Sequence, residues 1–361
     1  MKTFKNILSI TLPTVIILLL ILEVFFRLVI RADDPPRSIF DEEEKMFYFS
    51  NKRETGICTR GRFAEIKAKW RVNNMHWNYP IDYYPRKDKK LIAVIGDSFI
   101  SAFQVDVDKK YPFLLHDMLK NEFEVYAFGI DGAPLSQYLN ISRYVNRHFN
   151  PDIFIFNLVY NDFDESINKL TPGRNWFLKV IVNEDGPITE SIPVTKPDLP
   201  QYRLWKRLLY KSALFRYLYL NVHTKEIHHK KITPSKDNFE ANVKADDIDV
   251  NRDIIYKATD YILKTIRNEN KEKRIIFILD GLRGDIYENR LNKSRLLWIG
   301  EMMDELCNNY QIEYIDLTPE MEQEFINNNK KFDFKIDNHW NEYGHKFVAN
   351  VLYEYLNRSN N

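Results

Sequence analysis

The chain reads as an α/β protein: a three-layer α/β/α sandwich around a five-stranded parallel sheet, preceded by one helix able to cross a membrane. Three observations predict this. Five short runs, "LIAVI" (91–95), "FEVYAF" (123–128), "IFIFNLV" (153–159), "RIIFIL" (274–279) and "IEYID" (312–316), are apolar almost throughout, as strands covered on both faces are. Segments with apolar residues at helical spacing lie between them. Ahead of all of these, "ILSITLPTVIILLLIL" (7–22) carries no charge.

Taken in order, the apolar stretch continues past Glu23 in "VFFRLVI". A helix over 7–30 is about 36 Å long, enough for a hydrocarbon core of roughly 30 Å. Glu23 and Arg27 are one helical turn apart near its far end, where they can pair or snorkel. A cleaved leader is the rival reading. No small-x-small site follows in "EVFFRLVIRADD", so an uncleaved anchor is expected over 1–31, with membrane contact through residues 7–30. Lysines and arginines flank both ends and do not fix the topology. A short tail before a long folded body suits an exported domain, periplasmic or extracellular.

Residues 32–88 follow as a second unit. "RADDPPRSIFDEEEK" is charged and proline-bearing and reads as a stalk. The aromatic remainder, densest in "WRVNNMHWNYPIDYYP", reads as a membrane-proximal segment packed on the main domain.

The main domain is expected over 89–361. In "YPFLLHDMLKNE" the spacing puts Phe113, Leu114 and Met118 on one face. "NRDIIYKATDYILKTIRNE" repeats Ile254, Ile255, Ala258, Tyr261 and Ile262 likewise. Right-handed crossovers would align all strand C-terminal ends along one edge, where open sheets bind ligands. An interval at about 163–250 is too long for a bare loop and is expected to be a largely helical insertion. Its candidate helix, 202–222, interleaves Leu and aromatic residues with Arg203, Lys206, Arg207, Lys211 and Arg216. It suits packing with a solvated basic side, a membrane surface, or a substrate groove. His223, His228 and His229 beyond it fit a polar loop better than a metal site.

Lysine plus arginine (52) nearly cancels aspartate plus glutamate (51), so no global charge drives the chain toward nucleic acid. Hydrophobic content of 44% and aromatic content of 14% exclude global disorder. Two cysteines, Cys58 and Cys307, are too few for a zinc motif; they either bridge once or sit apart as small buried residues. No metal or cofactor is implied.

The chemistry gathers at strand ends. Gly96-Asp97-Ser98 follows the first strand, with Gly96 permitting a tight turn and Asp97 holding it. An unactivated serine is a poor nucleophile and needs a base, itself oriented by a further group. "KIDNHWNEYGHKF" supplies Asp337 and His339, two apart on an extended segment before a helix capped by Asn341. There the carboxylate can turn back on Nδ1 and leave Nε2 for the serine, with Trp340 shielding the pair and fixing the ring. Gly132 in "AFGIDGAP" and Asn161 in "LVYNDFDE" stand beyond the second and third strands. With the amide of Ser98 they make three oxyanion donors.

The set Gly-Asp-Ser (96–98), Gly132, Asn161-Asp162 and Asp337-x-His339 resembles the SGNH, or GDSL-like, hydrolase superfamily over roughly Lys89 to Leu356. The resemblance implies a flavodoxin-like fold, with Ser98 as nucleophile, His339 as base and Asp337 as its partner. Ser98, Gly132 and Asn161 would form the oxyanion hole. Two departures stand out. The acid and base are spaced Asp-x-His rather than Asp-x-x-His, and "DNHWN" looks more like the Asp-x-His-Trp block of membrane-linked exopolysaccharide acetylation proteins. Val159 also stands where a Gly-x-Asn-Asp block has glycine. The reading is a serine esterase taking acyl groups, foremost acetyl, from a cell-envelope carbohydrate. Its rivals are an O-acetyltransferase beside a membrane-bound acyltransferase partner, and a non-catalytic anchored scaffold.

Overall fold

The computed structural model describes residues 7–85, 88–183, 186–195, 210–223, 239–241 and 243–358. Lys90–Gly96 (β1), Phe123–Gly129 (β2), Ile153–Leu158 (β3), Arg274–Leu279 (β4) and Glu313–Asp316 (β5) form one sheet in the order β5-β4-β3-β1-β2. Every neighbouring pair is parallel. β3 is buried along its whole length, and β1 and β4 beyond their first residues, which is why each reads as a continuous apolar run.

After β1 the chain steps outward to β2 and then returns across the sheet to β3. The strand order therefore switches at β1, and the crevice beyond the C-terminal ends of β1 and β3 is where such sheets hold ligands. Among the helices, Ser98–Ser101 (α1) follows β1 directly, and Tyr111–Leu119 (α2) packs with the C-terminal Glu342–Arg358 on one face. Leu135–Phe149 (α3) and Leu297–Asn309 pack against Arg252–Glu269 on the other. In α2 the buried face is Tyr111, Leu115 and Leu119, while Met118 is exposed. The expected face was rotated because Tyr111 and Pro112, not the residues after them, turn inward.

The aromatic segment before β1 has a specific task. β2 is an edge strand, and an edge presents unpaired backbone groups. The Tyr79 hydroxyl donates to the Val125 carbonyl (2.7 Å) and the Tyr83 hydroxyl to that of Ala127 (2.8 Å). The Ala127 amide donates back to the Tyr83 oxygen (2.8 Å), and the Val125 amide to His116 Nδ1 (3.3 Å). Tyr83 also stacks on Tyr126, centroids 4.0 Å apart. Side chains thus close an edge that no further strand covers among the described residues.

The charged stretch expected as a stalk is folded. Ser38–Asp41 pairs with Met46–Phe49, and all four residues of the second strand are buried. Asp33, 2% exposed, accepts from the Thr59 amide (2.8 Å) and Arg60 Nη1 (2.5 Å), while its own amide donates to Asn221 Oδ1 (2.9 Å). Glu44 reaches Arg147 and His148 of α3.

Ser9–Leu28 is a 20-residue apolar helix, by length and composition able to cross a membrane. Its end is tied to the body. Glu23 accepts from Ser212 Oγ (2.7 Å) and from the amides of Ala213 (2.9 Å) and Leu214 (3.0 Å), capping the helical turn Ala213–Arg216. Phe26 stacks on Tyr217 with centroids 3.9 Å apart.

The described part of the insertion is less helical than its composition suggests. Within its described residues lie two short hairpins, Val180–Ile181 with Thr189–Glu190 and Phe239–Glu240 with Val243–Lys244. Beside them are helical turns over 213–223 and Ala245–Val250. Of the helix expected at 202–222, residues 202–209 lie outside the described residues, as do His228 and His229. Arg216, expected on a solvated basic side, is 9% exposed, donating through Nε to the Asp33 carbonyl (3.0 Å) and through Nη1 to that of Tyr210 (2.8 Å). Cys58 and Cys307 are both buried and free.

Candidate active site

The site starts where β1 stops. Asp97 caps α1, its Oδ1 accepting from the Phe99 amide (2.8 Å), and Ser98 is the first residue of that four-residue helix. Gly96 keeps an ordinary backbone here. It is glycine because a side chain would collide with Ile100, folded back over it, and crowd Asn157 of β3 (3.2 Å). Close approach, rather than turn conformation, is what the position demands.

Three interactions pin this short helix. The Ser101 carbonyl accepts from Asn78 Nδ2 (2.8 Å) and from the buried Lys110 ammonium; Ser101 Oγ donates to Asp131 Oδ1. Ala102 then leaves in a left-handed conformation, φ +40°, its amide bonded to the Ser98 carbonyl (2.9 Å). A non-glycine residue held there costs about 1–2 kcal/mol, which the surrounding bonds must sustain.

Far along the chain, Asp333–Phe334 and Asp337–Trp340 form a short antiparallel pair ahead of the C-terminal helix. The Gly344 amide donates to Asn341 Oδ1 (3.0 Å), so Asn341 caps that helix as the sequence suggests. His339 Nδ1 donates to Asp337 Oδ1 (2.5 Å), and the His339 backbone amide donates to the same oxygen (2.9 Å). This fixes the tautomer that leaves Nε2 bare, and Nε2 accepts the Ser98 hydroxyl at 2.7 Å. Serine, imidazole and carboxylate, 241 positions apart from first to base, are in direct contact.

What holds the imidazole differs from expectation. Trp340 is fully buried and donates through Nε1 to Asp280 Oδ1 (2.9 Å), anchoring the strand rather than the ring. Phe99 lies against the ring, centroids 4.9 Å apart, and meets Trp340 edge-on, also at 4.9 Å. Asp280, one residue beyond β4, pairs with Arg283 (3.0 Å), whose guanidinium also donates to the Asn338 carbonyl (2.7 Å). Phe99, Asp280 and Arg283 therefore position the imidazole, and none was singled out from sequence. An aspartate just past a strand at the ligand edge, "FILDGLR", was the available signal.

Gly132 and Asn161 stand three residues beyond β2 and β3, the two strands flanking β1. Gly132 has φ +70°, and a methyl built on it meets nothing within 4 Å, so its outer side is open. Asn161 opens the turn Asn161–Glu165, and its side chain hydrogen-bonds the Glu165 carboxylate. An amide has two N–H donors, so this bond leaves one for another acceptor. Asp162 behind it is buried, accepting from Tyr138 (2.8 Å) and the Val159 amide (2.9 Å); valine at 159 leaves that bond intact. Among the described residues no cluster of His, Cys, Asp or Glu is arranged to hold a metal ion.

The electrostatics favour a charged imidazole. Burial alone would lower the His339 pKa; the Asp337 hydrogen bond and charge, with Asp97 and Asp131 further off, outweigh it and raise the value. Asp337 is opposed by its own burial yet drawn down to about 2, chiefly by the bond to His339, with Arg60 adding to it. Burial lifts Asp97 to about 6. A base must be neutral to accept a proton, so kcat/KM for an ester is expected to fall on the acid side with a midpoint above the ordinary imidazole value of about 6.5. Asp97 interacts electrostatically with the imidazole, so that midpoint belongs to the coupled pair. Asp97→Asn keeps the capping oxygen but removes a charge that stabilises imidazolium. A kcat/KM profile on p-nitrophenyl acetate is expected to shift to lower pH; a shift upward contradicts the assignment.

No protein-family profile matches the sequence, and no curated protein matches it. Among solved structures the chain is similar to the acetyl xylan esterase AlAXEase at 14% identity and TM-score 0.40, covering 73% of this chain and 98% of that one. It is also similar to a member of the lipolytic G-D-S-L family from Veillonella parvula at 13% identity and TM-score 0.39, covering 73% and 97%. A third is a two-domain esterase active on acetylated mannans, at 11% identity and TM-score 0.40, covering 75% of this chain and about half (49%) of that one.

Proposed function

We propose that the chain is a serine esterase of the SGNH (GDSL-like) kind, removing acyl groups, foremost acetyl, from a cell-envelope carbohydrate through an acyl-Ser98 intermediate. One observation carries the reading: Ser98 Oγ lies 2.7 Å from an imidazole whose other nitrogen is bound by a carboxylate, at the ligand edge of a parallel sheet. His339 Nε2 takes the hydroxyl proton as Oγ bonds to the ester carbonyl carbon, and the carbonyl oxygen becomes an oxyanion. The amides of Ser98 and Gly132 and the second Asn161 N–H are assigned to that charge. When the C–O bond breaks, the alcohol leaves with the proton from Nε2. Water, deprotonated by His339, then attacks the acyl carbon, giving carboxylic acid and free serine.

The Asp-x-His-Trp block supports a second fate for the same intermediate, capture by a sugar hydroxyl, which would make the chain an O-acetyltransferase beside a membrane-bound acyltransferase. The helix Ser9–Leu28 supports anchorage in a membrane, and the body is assigned to the periplasmic or extracellular side as part of this proposal. Glu23 and Phe26 are built into the fold, and removing them would leave the amides of Ala213 and Leu214 without their acceptor.

The test uses the full chain in detergent. A fluorophosphonate is expected to label it and not its Ser98→Ala variant, and acetate is expected to accumulate from an acetylated oligosaccharide. Acetyl appearing on an added unacetylated glycan, with no free acetate, would move the assignment to the transferase. No labelling of the wild-type chain would leave the scaffold reading.

A further inference from the structure

Beside the catalytic loop lies a half-open cleft of about 130 Å³ that the chemistry above does not use. Its walls come from three separate stretches. Phe47, Tyr48 and Phe49 belong to the N-terminal hairpin, Trp176 and Phe177 to the insertion, and Ile130 and Asp131 to the segment that ends in Gly132. Ser38 completes the lining.

We infer that this cleft is a glycan subsite, holding one sugar ring of the acylated chain whose ester sits at Ser98; the inference rests on the esterase reading and extends it. Continuity with the site is covalent, because Asp131 immediately precedes the candidate oxyanion residue Gly132. Asp131 is also bonded through Oδ1 to Ser101 of the nucleophile helix. Phe49 meets Phe103, just beyond that helix, edge to face at 5.1 Å.

The lining argues for a sugar over the other ligand an esterase must seat, an acyl chain. An acyl pocket gains by excluding water and charge, and a carboxylate in its wall would lose hydration without compensation. Here Asp131 is exposed, and Oδ2 has no hydrogen-bond partner among the described residues, so a pair of vicinal hydroxyls can bind it. Sugar rings combine such hydroxyls with apolar C–H faces that pack on aromatic side chains. A few polar groups on an aromatic wall is the composition expected of a small-molecule site. A purely structural role, hairpin packed on insertion, accounts for the Phe47–Phe177 contact at 6.0 Å. It does not account for an opening with a carboxylate on its lip and Trp176 only half-buried.

The test separates this inference from the reading beneath it. Binding of unacetylated xylo- and manno-hexaose is measured by calorimetry on the full-length Ser98→Ala chain, alone and with Trp176→Ala or Trp176→Phe added. The expected result is binding by at least one hexaose, weakened about five- to tenfold by Trp176→Ala and largely restored by Trp176→Phe. In the Ser98-intact chain, Trp176→Ala is expected to raise KM for the acetylated hexaose by the same factor while leaving p-nitrophenyl acetate turnover unchanged. No binding of either hexaose, or binding indifferent to Trp176→Ala, overturns the subsite. Loss of p-nitrophenyl acetate turnover in the wild-type chain would instead strike the esterase reading, whatever the calorimetry shows.

Discussion

Ser98→Ala is expected to reduce ester turnover by about 10⁶-fold while leaving the protein folded. The hydroxyl contributes two contacts, 2.7 Å to His339 Nε2 and 3.2 Å to Asp97 Oδ2. Neither supports the fold, because α1 is capped by the Asp97 side chain and pinned through Ser101. His339→Ala should cost about as much, and the double variant no more than either alone, since nucleophile and base act as one unit. Asp337→Asn is milder, roughly 10⁴-fold, because it leaves the ring in place but reverses its tautomer preference. The measurements are kcat on p-nitrophenyl acetate and a thermal unfolding midpoint for each variant. A Ser98→Ala chain that keeps even a few per cent of turnover would put the nucleophile elsewhere. Additive losses in the double variant would mean that the 2.7 Å contact is incidental to the chemistry.

The sheet was the most legible part of the sequence, for a physical reason. A strand covered on both faces has apolar residues at every position, and the observed strands begin and end within one residue of the five apolar runs. That Ser98, Asp337 and His339 meet was legible because such a set is restricted to few residue types and they fall at a strand end and on an extended segment. Phe99, Asp280 and Arg283 were not. Nothing local distinguishes a phenylalanine that supports an imidazole from one that fills a core, and the Arg283–Asn338 bond joins residues 55 apart. The same limit explains the stalk. Asp33 and Glu44 look solvated by composition, but their partners, Arg60, Asn221, Arg147 and His148, lie far along the chain. Charge density reports on a segment alone; burial depends on what the fold brings to it.

Gly129→Ala is expected to damage the protein more than any other single methyl group added near the site. Gly129 ends β2 facing the nucleophile helix, and an added Cβ would overlap the Ser101 amide and lie 2.6 Å from the Ile100 carbonyl carbon. The obstacle is backbone, so no rotamer change relieves it. Nor can the helix retreat, for its end is fastened by Asn78, Lys110 and Asp131. Either β2 shifts, breaking the tyrosine bonds that close its edge, or α1 shifts and carries Ser98 with it. Overpacking of this kind costs about 3 kcal/mol or more, lowering the unfolding midpoint by roughly 10 °C. A displacement near 1 Å at the nucleophile costs a further factor of about 10² in kcat for whatever remains folded. Gly132→Ala provides the contrast: its Cβ points into open space, so only the left-handed backbone is penalised, about 1–2 kcal/mol. Unfolding midpoints and kcat on p-nitrophenyl acetate rank the two. Should Gly129→Ala melt close to the wild type and keep its turnover, the nucleophile is not held by this contact, and the rigidity assigned to α1 has to come from its other three fastenings alone.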